Sequence, residues 1–76
     1  MNKQRRNRIF KMVERINEIV GILETARDEE QEALDNLPES IRESERGERM
    51  EEYIDALDNA VEYLIEGVST IEDGID

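Results

Sequence analysis

Any catalysis by this chain would have to be carboxylate chemistry, because it holds 21 Asp and Glu residues and has neither His nor Cys. Paired carboxylates can act as general acid and base, or can hold a hard cation. The partners such sites need are missing here. Di-iron bundles require Glu-x-x-His pairs facing inward, and zinc sites draw on His or Cys. The stretch Ile71-Glu72-Asp73-Gly74-Ile75-Asp76 lacks the alternating oxygen ligands that precede the glycine of a calcium loop. Thr25, Ser40, Ser44, Ser69 and Thr70 have no neutral base to activate them, since Lys3 and Lys11 sit in a basic cluster. The residues therefore point away from an enzyme and imply no catalytic, metal or cofactor site.

Charge is the stronger signal. The net charge is −11, yet Lys3, Arg5, Arg6, Arg8, Lys11 and Arg15 stand near the start against Glu14 alone. From Met50 onward there is no Lys or Arg. Glu51, Glu52, Asp55, Asp58, Glu62 and Glu66 space carboxylates a few ångströms apart along a rod, a charge density comparable to a phosphate backbone. Such a surface repels nucleic acid and suits a basic protein partner. Lys3, Arg5 and Arg6 could still form a nucleic-acid arm through phosphate contacts, although Phe10 is the only ring nearby. The segment from Lys3 to Leu23 has the basic and apolar faces of a membrane-surface helix, but that apolar face has a competing use inside the fold.

The elements that position these groups follow from apolar spacing. One ladder runs through Ile9, Met12, Ile16, Ile19, Leu23, Ala26, Ala33 and Leu37; a second runs through Met50, Ile54, Leu57, Val61, Leu64, Val68, Ile71 and Ile75. With Ile9 at heptad position a, Glu30 is the only acid in the first ladder, and Val13, Val20 and Leu34 add a third apolar row at position e. Glu30 is expected to reach out to the edge of the seam or to pair with Arg27 or Arg49. Between the ladders, Asn36-Leu37-Pro38-Glu39-Ser40 breaks the helix, because proline lacks a donor and biases Leu37 away from helical angles. Ser40 and Ser44 offer successive helix starts.

The spacing predicts an all-α fold: an antiparallel, coiled-coil-like hairpin with helix 1 over about 2–35, a connection over 36–46 containing a short helical turn, and helix 2 over about 46–74. Ile16 falls level with Val68, Leu23 with Val61 and Leu34 with Met50. Arg8, Lys11 and Arg15 fall level with Asp76, Asp73 and Ser69, while Lys3, Arg5 and Arg6 overhang. Seventy-six residues give only a small core. Self-association is the remaining route to stability, and a homodimeric four-helix bundle is expected. Val13, Val20 and Ile65 on one flank, and Tyr53 and Tyr63 elsewhere, are the apolar side chains expected to meet a partner. Glu51, Asp55, Asp58 and Glu62 are the expected acidic contacts. No stretch reaches the roughly 18 apolar residues of a membrane span, and the basic start lacks an apolar run or cleavage site, so a cytoplasmic location is expected.

The stretches Asn36-Leu37-Pro38-Glu39-Ser40 and Ser44-Glu45-Arg46-Gly47-Glu48-Arg49-Met50-Glu51-Glu52 resemble the NLPES…SERGE.MEE core of small acidic helical-hairpin proteins from phages and mobile elements of Gram-positive bacteria. This chain departs from their alanine-rich heptads at Tyr53, Tyr63, Gly67 and Val68. The resemblance implies an accessory role in a host-cell cytoplasm and brings no catalytic residues. Together with the charge, it suggests an inhibitor of a basic host protein that handles nucleic acid or serves defence. A purely structural oligomerisation module and a nucleic-acid-binding accessory protein are the alternatives.

Overall fold

The computed structural model describes residues 1–75, and these form three helices: α1 over Lys3–Asp35, the single turn α2 over Glu39–Arg42, and α3 over Glu45–Ile75. The start of α1 is capped by Asn2, which holds extended angles while its Oδ1 accepts the Arg5 N–H at 2.8 Å. At the other end, the Asn36 and Leu37 N–H groups close on the Glu32 and Leu34 carbonyls at 3.1 Å. The Arg42 guanidinium donates to the Asp35 carbonyl at 2.6 Å, placing a cation at the negative end of the helix.

The break before α2 is the one proline chemistry demands. Pro38 cannot donate, but its carbonyl accepts both the Ile41 and Arg42 N–H groups at 2.9 Å and so starts α2. The Ser44 hydroxyl then donates to the Ile41 carbonyl, and the Glu48 N–H returns to the Ser44 carbonyl at 3.1 Å as α3 begins. Glu45 and Glu48 in the first turn of α3 suit the positive end of its dipole. Gly47 is buried where α2 folds against α3, and a Cβ there would lie 1.9 Å from the Arg42 carbonyl oxygen. Its backbone angles are ordinary, so the requirement is room.

The helices α1 and α3 pack along their length in a rod of 58 × 15 × 13 Å. On α3 every residue of the predicted ladder, Met50 through Ile75, is buried or half-buried, joined by Gly47 and Ala60. Next to the turn, Leu34 packs with Met50 and Ile54, and Leu37 covers that cluster. Leu34 beside Met50 agrees with the predicted register. No large side chain is wholly buried among the described residues, because two helices enclose each other on one side only.

The structure corrects the rotation of α1. Val13, Val20 and Leu34 are 6%, 7% and 5% exposed, whereas Met12 and Ile19 of the predicted ladder are 46% and 48% exposed. Val13 and Val20 are therefore seam residues and not contacts for a partner. Ile9, Ile16 and Leu23 serve either rotation; the choice falls to the two rows beside them. One offers Val13, Val20, Arg27 and Leu34, the other Met12, Ile19, Ala26 and Ala33. Beside the turn only Leu34 can fill the space against Met50 and Ile54, where Ala33 would leave a cavity.

The basic start also differs from expectation. Lys11 and Asp73 form no ion pair among the described residues, and Asp76, expected beside Arg8, lies outside them. Arg6 is half-buried, with its Nη2 turned back to the Met1 carbonyl at 3.4 Å, so only Lys3 and Arg5 of the predicted arm are exposed.

Two glycine substitutions probe this architecture in opposite directions. Gly47→Ala should lower stability by about 1–3 kcal/mol through the forced clash with Arg42. Gly21→Ala, whose Cβ meets nothing within 4 Å, should raise it by about 1 kcal/mol. Urea unfolding followed by circular dichroism reads both, and equal effects at the two positions would contradict the packing of α2 on α3.

Candidate functional site

The rotation of α1 divides the predicted contact residues between two broad faces. Glu51, Asp55, Asp58, Glu62 and Ile65 follow a 4-3-4-3 spacing and so line one side of α3. Arg27 shows which side of α1 adjoins them. Its Nη1 donates to Asp58 Oδ1 at 2.9 Å, and its Nη2 contacts Asp28 Oδ1 at 3.3 Å, so Asp28 and Asp58 share a face. This face carries Glu24 and Asp28 from α1 and the four predicted acids from α3. Arg27 is the one cation seen to bridge the helices there among the described residues.

Arg27 was not anticipated as a site residue. It occupies the row of Val13, Val20 and Leu34, where its methylenes lie along the seam and its guanidinium emerges between two carboxylates. The hydrogen bond that it donates to Asp58 raises its pKa above the ordinary arginine value, with Asp28 adding to the effect, and it stays charged. Seven-residue spacing from Val20 to Leu34 is the signal that identifies it. Of the two arrangements expected of Glu30, pairing with Arg27 or Arg49 is absent among the described residues, since Arg27 is taken by Asp28 and Asp58 and Arg49 bonds Glu45 at 3.0 Å; Glu30 lies half-buried at the edge of the seam.

Tyr53 lies away from the acids of α3, whereas Tyr63 stands beside Glu62 and Glu66. Glu30, Ala33, Arg46, Arg49, Met50 and Tyr53 line an open groove between the helices, which puts Ala33 of α1 and Tyr53 of α3 on the same side. The exposed Met12, Ile19 and Ile22 belong to that side by helical spacing. Ile65 lines a separate shallow groove with Glu62, Tyr63, Glu66 and Ser69 on the back of α3. Among the described residues no three Asp or Glu side chains converge as a metal site would require, and no helix is long and apolar enough to cross a membrane.

No family model, curated protein or solved structure matches the chain.

The position of Arg27 gives a test of what the seam prefers. Arg27→Leu extends the apolar row and should raise the thermal midpoint, since apolar replacements of enclosed ion pairs are commonly neutral or stabilising. Asp58→Asn, which leaves the guanidinium with Asp28 alone, should lower it. A midpoint for Arg27→Leu below that of the unmodified chain would mean that the bridge to Asp58 outweighs apolar contact.

Proposed function

We propose that this chain is a non-enzymatic, protein-binding hairpin whose acidic face holds a basic partner. The observation that carries this reading is the alignment of Glu51, Asp55, Asp58 and Glu62 on one side of a rigid helix, beside Glu24 and Asp28. Among the described residues only Arg27 bridges into that field, and it is already engaged by Asp28 and Asp58. Carboxylates held at helical spacing on a straight rod present a negative stripe that needs no reordering on contact, so a cationic surface meets a preorganised counterpart. The same field disfavours nucleic acid, because phosphates would approach like charge.

The likeness of the NLPES and SERGE.MEE segments to phage and mobile-element proteins directs the partner toward a host factor of a Gram-positive cell, one that is basic because it handles nucleic acid or serves defence. Occupying such a protein's nucleic-acid surface would inhibit it by competition, with no catalytic residue needed.

The test is affinity capture from a Gram-positive lysate at low and high salt, read by mass spectrometry against a scrambled chain. A basic protein should be enriched, released by salt, and lost with the triple variant Glu51→Lys, Asp55→Lys, Glu62→Lys, which spares the Arg27 bridge. Retention should survive Lys3→Ala with Arg5→Ala. Enrichment that is indifferent to the triple variant would remove the acidic face from the mechanism.

A further inference from the structure

The face opposite the acids has a different composition, and it fits a copy of itself. We propose that two chains stack through this face, antiparallel about a two-fold axis at Ile22, to form a four-helix bundle with the acidic faces outward. Four of the eight exposed large apolar side chains lie on it: Met12, Ile19, Ile22 and Tyr53, with Ile22 67% exposed. Beside the seam, the rows Met12-Ile19-Ala26-Ala33 on α1 and Tyr53-Ala60-Gly67 on α3 contain no charge. Just outside the α1 row stand Arg15, Ile22 and Glu29, completing a second 3-4 ladder on the same helix. A helix with two ladders about a quarter-turn apart is what a four-helix bundle requires.

The second ladder is complementary to itself when reversed. With Ile22 set against the second copy's Ile22, Ile19 falls within one residue of Ala26 and Met12 within one residue of Ala33, so each large side chain has a small one beside it. Arg15, which makes no ion pair among the described residues, falls on the second copy's Glu29, and symmetry repeats the pair. On α3 the uncharged row Tyr53-Ala60-Gly67 flanks this contact, and Gly67 has nothing within 4 Å of where a Cβ would stand, leaving open surface beside it.

Charge also selects the arrangement. Stacking α1 on α3 of the second copy would put Arg15 against Ser69 and Glu29 against Asp55, leaving the cation unanswered and setting two carboxylates together. The long face of a 58 × 15 × 13 Å rod is about the size of a standard interface, roughly 800 Å² per partner. This inference does not depend on the acidic face having a partner, and salt separates the two. Screening should strengthen contact between chains of net charge −11 and weaken binding to a basic protein.

Sedimentation equilibrium of the full chain and its variants tests the proposal, with circular dichroism confirming that each variant folds. The unmodified chain should be dimeric and should dimerise more tightly as salt rises. Ile22→Glu should weaken association at least about 100-fold, since the axis sets the two carboxylates against each other. Arg15→Glu should weaken it about tenfold, and adding Glu29→Arg should restore it to within about twofold, because the exchanged pair still meets across the axis. In the Cys-free chain, Ile22→Cys should oxidise to a linked dimer and Asp55→Cys should not. A monomeric unmodified chain overturns the proposal, and so does a dimer in which the charge exchange fails to rescue Arg15→Glu.

Discussion

Leu34, packed with Met50 and Ile54 beside the turn, sets the orientation of everything that follows. A helix is stiff, and successive residues are separated by about 100°. One well-filled contact near the hinge therefore decides which side chains of a 33-residue helix face inward. With Leu34 inside, Val20 and Val13 follow at seven-residue intervals and Arg27 is carried in with them. Gly47 makes the contact possible by letting α2 lie close to α3, so that α3 starts near the end of α1.

Arg27 interrupts that row with a charged group, and its environment explains why the seam tolerates it. The methylenes lie along apolar neighbours, while the guanidinium reaches the edge and bonds Asp58 on the opposing helix. A slip of α1 against α3 by one heptad would keep most apolar layers apolar but would move Arg27 away from Asp58. The polar residue thus specifies register where valine and leucine alone discriminate weakly, as single polar residues do in coiled coils. The turn supports the same register through Arg42, which ties α2 to the last carbonyls of α1.

The ladder of α3 was fully legible in the sequence because only one of its rows is continuously apolar. On α1, two rows compete across the shared positions Ile9, Ile16 and Leu23. Arg27 made the correct row look interrupted, while Ala26 and Ala33 made the other look continuous, although alanine fills little space. Hydrophobic character ranked the rows one way and volume ranked them the other; packing follows volume near the turn. The acids of α3 were readable as a stripe from spacing alone. That Tyr53 sits on the other side from those acids depends on how the helices are paired, which needed Arg27 and the groove joining Ala33 to Tyr53.

The two faces also bear differently on the seam between them. Ile16, Leu23, Leu57 and Leu64 are only half-buried, because each seam layer of a two-helix rod is open above and below. On the acidic side, that opening is edged by carboxylates that cannot lose their water without countercharges, so apolar cover there would carry a desolvation cost. On the other side, the edges beyond the groove of Glu30, Arg46 and Arg49 are largely Met, Ile, Ala, Tyr and Gly, which give up water readily. Stability available to this small core by covering the seam therefore lies on the more apolar side, while the acidic side keeps a chain of net charge −11 hydrated. The unequal faces let one short hairpin gain apolar burial through one surface without neutralising the other.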